Sequence, residues 1–239
     1  KLRSEHPQAL LLDSGSFFAG GLLDEYTQNT DMDTKRTLIN LQALRLMKYD
    51  ALSIGDDEFN FGLDFFLKNA VDAGLPLVSC NILNAAEITR VNSVQPYLIK
   101  EVDGIRLGII GATNLAANSK AASLKFGDPK TGVARAVAEL KQKGAAIIVV
   151  LSQLEESQDL ALIQEVKGID ILIGSHHPAQ DKPFVKFENT LLLKAFWQGR
   201  SLGKATFTVQ DNRIINFKVE GLRLSDEVAD DPEILSFLP

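Results

Sequence analysis

Short apolar runs alternate with amphipathic segments through the first 80 residues. Residues 9–12 (ALLL), 51–54 and 76–80 are apolar runs of strand length, and the first is expected to be buried on both faces. Residues 34–49 and 63–73 have the periodicity of helices. This order of strand, helix, strand, helix and strand predicts parallel pairing with right-handed crossovers.

The predicted helix at residues 34–49 carries its own local signals. Asp33 stands where an N-cap carboxylate would accept hydrogen bonds from the first free N–H groups. Leu38, Leu41 and Met47 fall near one stripe of the helix. That stripe predicts which face of the helix packs against the sheet.

The second half of the chain begins with a hairpin signal. Asp103-Gly104 separates two apolar segments, and this dipeptide favours a two-residue turn. Helical and strand patterns then alternate at residues 129–143, 146–151, 157–166 and 170–173. Antiparallel β structure is predicted for the last segments, residues 190–193, 205–209 and 214–219. We therefore expect one α/β domain over residues 1–239.

Composition argues against several classes of function. The chain of 239 residues has a formal net charge of −6, an isoelectric point near 5.2 and no basic run. Such a surface does not favour nucleic acid or an anionic membrane. No apolar stretch reaches the roughly 18 residues that a membrane span needs. The single cysteine, Cys80, lies in an apolar run and is expected to be buried, so it indicates no compartment.

Four of the predicted strands end in polar loops. The loops are DSGS at 13–16, GDDE at 55–58, SQ at 152–153 and GSHH at 174–177. Because the loops after parallel strands gather at one rim of a sheet, they predict a shared crevice. Its candidate residues are Asp13, Ser16, Asp56, Asp57, Gln153 and His176. Carboxylates and imidazoles are ligands of divalent metals, so this set suggests metal-assisted hydrolysis.

The same residues also have structural interpretations. Three adjacent acids, residues 56–58, are common in a solvated turn. Asp13 is expected to cap its own DSGS turn, and Gln153 is equally well an ordinary loop amide. From the residues alone, a metal site and a set of polar turns are both open.

Longer motifs resemble those of one family. LLLDSGSFFAG at 10–20 is similar to LLLDAGDxxxG, and YDALSIGDDEFNFG at 49–62 is similar to YDAxxxGNHEFDxG. Further motifs follow in the family's order, namely LPLVSCNI, PYLIKEVDGIRLGIIGATN, VVLSQLEE and IDILIGSHHPA. These motifs resemble the calcineurin-like metallophosphoesterases in their 5′-nucleotidase branch. The resemblance runs to about Gly203 and so covers most of the chain.

The resemblance implies a four-layer α/β/β/α sandwich, the metallophosphatase fold, with mixed sheets and antiparallel C-terminal strands. It also implies two divalent metals with a phosphate between them. In the family an aspartate bridges the metals, and asparagine and histidines complete their shells. The family's first strand, which carries Asp-x-His, is not in this sequence. Without it a sheet edge and apolar surface would be exposed, unless another segment fills the gap.

Four matched positions depart from the family. Ser16 replaces the bridging aspartate, and a hydroxyl cannot neutralise two dications as a carboxylate does. Asp56 replaces the metal-binding asparagine, and Gln153 replaces a histidine ligand. Asp57 replaces the catalytic histidine that stabilises the leaving group, and an aspartate would repel that oxygen instead. Together these changes remove the metal bridge, one imidazole ligand and the leaving-group helper.

The last motif keeps one histidine. His176 matches the first histidine of the family's GHxH, the second falls on Pro178, and His177 could take its place after a shift of one residue. The candidate remnant ligands are therefore Asp56, Gln153, His176 and His177, beside Ser16 in place of the bridge and Asp57 as a replaced catalytic residue.

The favoured function is a degenerate 5′-nucleotidase-like domain, a pseudoenzyme that serves as a scaffold or binding module. The alternative is a metal-dependent phosphohydrolase with a rebuilt site, acting on a phosphomonoester or nucleotide. A third hypothesis is a cation-binding or nucleotide-sensing module. The expected cofactor is none, or a weakly held divalent cation (Mn, Zn, Ca or Mg). The expected partners are other domains or subunits of a larger exported assembly, in the periplasm or at the cell surface, with no nucleic acid.

Overall fold

The alternation of helices and strands follows the predicted α/β pattern. The computed structural model describes residues 2–21, 30–84, 94–115, 117–175, 183–194 and 199–238, with the side chain of Asn118 left out. The helices are α1 Leu2–Glu5, α2 Thr30–Met47, α3 Leu63–Phe66 with a π-helical turn Leu67–Val71, α4 Ala117–Lys120, α5 Pro129–Gln142, α6 Glu156–Glu165 and α7 Pro232–Leu235. The strands are β1 Leu12–Asp13, β2 Ala51–Ser53, β3 Leu77–Val78, β4 Tyr97–Val102, β5 Ile105–Ala112, β6 Ile147–Ser152, β7 Ile171–Gly174, β8 Phe184–Phe187, β9 Thr190–Lys194, β10 Ser201–Gln210 and β11 Arg213–Arg223.

The first three strands form a parallel sheet in the order β1-β2-β3. Leu12 pairs with Ala51, and Leu52 pairs with Leu77, so the predicted parallel pairing is confirmed. β2 and β3 are fully buried, whereas β1 is only partly buried. The expectation that residues 9–12 are buried on both faces is therefore wrong. Within the described residues β1 pairs with β2 alone, which leaves its other edge without a strand.

A second sheet of six strands has the order β4-β5-β6-β7-β9-β8. Its four central strands are parallel, and the edge strands β4 and β8 are antiparallel to their neighbours. Asp103 and Gly104 form the turn between β4 and β5 at φ 50° and 76°, as the hairpin signal predicts. β9 was expected to be antiparallel. It is so against β8, but it also extends the parallel sheet beside β7.

The last two strands form the predicted antiparallel hairpin. β10 pairs with β11 from Ser201 opposite Arg223 to Gln210 opposite Arg213. Phe207 and Val209 of β10 pack into the same apolar cluster as Leu12. The hairpin and β1 therefore both pack against this same apolar cluster.

Three apolar clusters hold these elements together. The first packs α2 and α3 against the parallel sheet, and the second packs α5 and α6 against the larger sheet. The third cluster contains residues of both sheets, including Ala51 and Val78 from one and Ile109 and Val149 from the other. The mixed α/β class is thus confirmed, while the four-layer order stays a prediction.

Helix α2 differs from its predicted position. It is already helical at Thr30, so Asp33 lies inside the helix, is 3% exposed, and is not the N-cap. The buried stripe consists of Asp33, Thr37, Leu41 and Leu44, at the spacing of successive turns. Leu38 and Met47 are 42% and 40% exposed and lie outside the stripe, so the prediction that these two side chains pack against the sheet is wrong.

The burial of Cys80 and the start of α5 are both explained by the residues around them. Cys80 is buried at 2% exposure, and burial raises the pKa of its thiol to about 12, so it is an inert apolar residue. Asp128 caps α5 by accepting from the N–H of Thr131, and Pro129 begins the helix. No helix in the described ranges has the length and apolar character to cross a membrane.

Candidate functional site

The acidic loop after β2 places its three carboxylates in two environments. A short 3₁₀ turn, Asp57–Phe59, begins directly after Asp56. The carbonyl of Asp56 accepts the N–H of Phe59, and the carbonyl of Asp57 accepts the N–H of Asn60. This turn leaves the side chains of Asp56 and Asp57 about one-fifth exposed, at 20% and 22%. It directs Glu58 inward, where it is 0% exposed. The loop therefore presents two acids toward solvent and buries the third.

Lys120 lies over the two outward acids. Its Nζ atom is 2.7 Å from Oδ2 of Asp56 and 3.3 Å from Oδ1 of Asp57. The same ammonium donates to Oδ1 of Asn60 at 2.8 Å. Partial burial lowers the pKa of Lys120, but the hydrogen bonds and charges of the two aspartates outweigh it and raise the pKa above its ordinary value. A permanent cation thus occupies this part of the loop.

Asn114 completes the hydrogen bonding of Asp56. Its Nδ2 atom donates to Oδ1 of Asp56 at 3.2 Å, so both oxygens of that carboxylate have a partner within the chain. Asn60 in turn donates to Oδ1 of Asp57 at 3.2 Å. The outward acids are therefore held by an ammonium and two amides.

Glu58 ties the first polar loop to the second. Its Oε1 atom accepts the N–H of Phe17 at 2.7 Å and of Phe18 at 3.3 Å. Its Oε2 atom accepts the N–H of Gly55 at 2.6 Å and of Ser16 at 3.2 Å. Burial raises the pKa of Glu58 to about 8 even though the backbone N–H groups lower it. This carboxylate serves the backbone and is not open to a ligand.

Gln153 joins the end of β6 to the same loop. Its side chain is fully buried, its Nε2 atom donates to the carbonyl of Ser14 at 2.7 Å, and its Oε1 atom accepts from the hydroxyl of Ser16 at 3.2 Å. The packing is close, since a Cβ added at Gly55 would lie 2.9 Å from the Gln153 amide. Ser16 itself has φ 61°, a backbone conformation that residues other than glycine rarely adopt. The two residues at the positions that the resemblance assigns to the metal bridge and a histidine ligand are thus hydrogen-bonded to each other.

Asp13 has the structural role expected from its turn. Its Oδ1 atom accepts the N–H of Gly15 at 2.7 Å, which closes the DSGS turn and confirms the capping interpretation. Burial raises the pKa of Asp13 to about 6, against the opposing effect of the Gly15 N–H group.

The structure brings three of the four predicted loops together. The loops after β1, β2 and β6 meet through Glu58 and Gln153. The fourth loop begins beside them, because the N–H of Ser175 donates to the carbonyl of Ser152 at 3.0 Å. His176 and His177 lie outside the described residues, so their prediction as remnant ligands stays a prediction.

Sequence reasoning missed Lys120, Asn60 and Asn114. Lys120 lies 63 to 64 residues beyond the acids that it contacts, in a segment without a helix or strand pattern. The one available signal was the excess of negative charge in the loop, which requires a cation from the chain or from solvent. That signal does not say which of the chain's lysines supplies it.

The described side chains do not fit a pair of divalent cations. No group of three histidine, cysteine, aspartate or glutamate side chains in the described part of the chain could hold a metal ion. One oxygen of Asp56 and one oxygen of Asp57 accept from Lys120, and the hydroxyl of Ser16 donates to Gln153. Carboxylates that already bind an ammonium would have to release it before they could coordinate a metal.

Proteins of similar sequence and structure are nucleotidases and phosphoesterases. No protein-family model matches the chain. Snake venom 5′-nucleotidase of Naja atra is 24% identical over 262 residues, covering 98% of this chain and 47% of that protein. The trifunctional nucleotide phosphoesterase YfkN of Bacillus subtilis is 26% identical over 254 residues, covering 90% of this chain and 17% of that protein. The solved structure of a 5′-nucleotidase precursor from Thermus thermophilus superposes with a TM-score of 0.77 at 27% identity, covering 95% of this chain and 48% of that one.

These matches show that the chain has the metallophosphatase fold. The chain is a homologue of the 5′-nucleotidases and calcineurin-like phosphoesterases, so the resemblance seen in its motifs is confirmed. It spans less than half the length of each of the three proteins named above.

Proposed function

We propose that this domain keeps the 5′-nucleotidase fold without efficient phosphate ester hydrolysis, and that it acts as a scaffold or binding module of a larger exported protein. The observation that carries the proposal is the ammonium of Lys120 between the carboxylates of Asp56 and Asp57. In the family these two positions belong to a metal ligand and a catalytic histidine. Here both are acids bonded to an internal cation.

The position of the metal bridge supports the proposal. Two-metal hydrolysis needs a group that neutralises both ions and holds them side by side. Ser16 offers a hydroxyl, and that hydroxyl donates a hydrogen bond to Oε1 of Gln153. A serine used in this way contributes no negative charge, so it does not replace a bridging carboxylate.

The net charge of the acidic loop also supports the proposal. The two outward acids and Lys120 together carry a charge of about −1, and the domain as a whole carries −6. A phosphate approaching this loop would meet like charge without the dications that normally attract it. A leaving oxygen beside Asp57 would be destabilised for the same reason.

Export is part of the proposal. The relative from Naja atra is a venom 5′-nucleotidase and therefore a secreted protein. By analogy we place this chain in an exported protein, in the periplasm or at the cell surface, where other domains or subunits are its partners.

Metal content and turnover test the proposal together. Purified protein is exchanged into metal-free buffer and incubated with Mn²⁺, Co²⁺, Zn²⁺ or Ca²⁺. Bound metal is then measured by mass spectrometry, and hydrolysis is measured on p-nitrophenyl phosphate and AMP. We expect less than stoichiometric metal, and rates that are the same for wild type and Asp56→Ala. Stoichiometric metal with turnover that Asp56→Ala abolishes would overturn the proposal.

That second outcome would establish the competing function, a metal-dependent phosphohydrolase with a rebuilt site. The names of the relatives favour it, since they are nucleotidases and phosphoesterases. Its ligands would be Asp56, Asp57, Gln153 and His176. It requires Lys120 to leave the carboxylates and Gln153 to leave Ser16, so it predicts a different conformation of both loops.

A further inference from the structure

We infer that Lys120 is a built-in cation that takes the place of a divalent ion at the Asp56–Asp57 loop, and that removing its charge turns the loop into a divalent-cation site. The inference deepens the proposed function and rests on it, since a working metal centre in the wild-type domain would leave no place for the ammonium.

The number and placement of acceptors fit an ammonium group. A lysine ammonium has three N–H donors and no acceptor. Three oxygens surround Nζ of Lys120, one each from Asp56, Asp57 and Asn60, at 2.7, 3.3 and 2.8 Å. Each donor can therefore be matched to one acceptor.

The same oxygens belong to the class that hard divalent cations prefer. Two carboxylates and an amide carbonyl are typical ligands of Ca²⁺ or Mn²⁺. Without a cation the adjacent carboxylates of Asp56 and Asp57 would repel each other. Lys120 supplies one positive charge, and a divalent ion in its place would supply two.

The backbone that carries Lys120 is fixed by burial. Ala117 at the start of α4 and Ala121 just after it are 0% and 2% exposed, and both belong to the cluster under the parallel sheet. Leu124, one turn further on, is 3% exposed in the same cluster. Because apolar side chains on both sides of Lys120 are anchored, the lysine is directed at the acidic loop by the core.

The lysine has also kept partial access to solvent. Its side chain is 27% exposed, and the two acids are exposed to a similar degree. A cation from solution can therefore reach the carboxylates once the ammonium is removed. This access makes the inference testable by substitution.

The test compares Lys120→Met with wild type, and uses the exposed Lys125→Met as a matched control for the loss of one positive charge. Methionine keeps an unbranched stem of similar length and removes the ammonium. Melting temperatures are measured in EDTA and in MnCl₂, and Mn²⁺ affinity is measured by calorimetric titration. We expect Lys120→Met to melt roughly 3–6 °C below wild type in EDTA and to regain most of this loss in Mn²⁺. Its Mn²⁺ affinity should exceed that of wild type by at least about tenfold, and adding Asp56→Asn should abolish the gain.

Equal melting temperature and equal Mn²⁺ response in Lys120→Met and wild type would overturn the inference. If Lys120→Met does not fold, nuclear magnetic resonance of the lysine side-chain NH₃⁺ groups in wild type decides instead. A hydrogen-bonded Lys120 signal that persists in excess Mg²⁺ supports a built-in cation, and loss of that signal on adding Mg²⁺ contradicts it. Failure of the proposed function would appear separately, as turnover by the wild-type protein.

Discussion

The backbone N–H of Phe17 donates to Oε1 of Glu58 over 2.7 Å, across 41 residues of sequence. Through this bond and three others, one buried carboxylate fixes the loop after β1 against the loop after β2. Of the three acids in the loop, Glu58 is therefore the structural one, and Asp56 and Asp57 are left to face Lys120.

At about pH 9, above the folded-state pKa of Glu58, replacing this ionised carboxylate by glutamine should destabilise the domain by about 2–4 kcal/mol. The amide has one acceptor oxygen for four N–H donors, and its NH₂ group would face donors as well. Urea unfolding followed by circular dichroism measures the loss. Glu101→Gln, at an exposed position of β4, is the control and should change stability by less than about 0.5 kcal/mol. Equal stability of the two variants would show that the buried carboxylate does not organise the loops.

The stability of the domain should fall as pH rises from about 5 to about 8. The pKa of Glu58 is raised from 4.5 to about 8, and that of Asp13 from 3.8 to about 6. In this range the folded state binds protons that the unfolded state has released, so raising the pH favours unfolding. The stabilising contribution is complete below about pH 4 and is lost as pH passes the folded-state pKa values.

Asp13→Asn isolates one part of this pH dependence. The asparagine keeps the Oδ1 acceptor for the N–H of Gly15 and cannot titrate. Urea midpoints measured from about pH 5 to about pH 8.5 should therefore decline less steeply in the variant than in wild type, with the difference in slope concentrated below about pH 6. Parallel curves for the two proteins would mean that Asp13 has an ordinary pKa.

Introducing at position 16 the aspartate that the resemblance implies there should destabilise the domain. A carboxylate at this position would face Oε1 of Gln153, which now accepts from the hydroxyl of Ser16 at 3.2 Å. Ser16→Asn is the matched control, since asparagine also tolerates a positive φ and its amide can donate to Gln153. The free energy of unfolding, measured with denaturant, should be about 1–3 kcal/mol lower for Ser16→Asp than for Ser16→Asn. A more stable aspartate variant, above all in Mn²⁺, would argue for a surviving metal bridge.

The contact between the two sheets gives a further prediction. A Cβ added at Gly111 of β5 would lie 2.2 Å from the carbonyl oxygen of Val78 of β3, a distance that backbone atoms cannot accept. Gly111→Ala should cost about 3 kcal/mol or more, because the sheets must move apart. Gly203→Ala in β10, where an added Cβ meets nothing within 4 Å, should be nearly neutral. Calorimetric melting of both variants makes the comparison, and similar melting temperatures would mean that the two sheets do not approach this closely.

Much of the fold could be predicted because its signals are local. The turn at Asp103-Gly104 needs only two residues to specify it, and the helix predicted from residue 129 begins at Pro129. β9 was harder, because its pairing with β7 depends on which strand lies nearby and not on its own residues. The partial exposure of β1 has the same kind of cause, since an apolar run does not reveal whether a strand lies on both sides of it.

The candidate site was predictable only in part. The motifs predicted Ser16, Asp56 and Gln153 at the ends of their strands, at positions where the resemblance implies other residues. They could not show that Gln153 bonds Ser16 or that Lys120 neutralises the acids, because these contacts join residues 137 and 64 positions apart. Side-chain pairing over such distances is determined by the packed fold.

Anomalous diffraction from a crystal soaked in Mn²⁺ tests the central claim most directly. We expect no manganese peak at the loop of Asp56 and Asp57, with the ammonium of Lys120 in hydrogen-bond contact with both acids. Two manganese peaks coordinated by Ser16, Asp56 and His176, with Lys120 displaced, would contradict this claim.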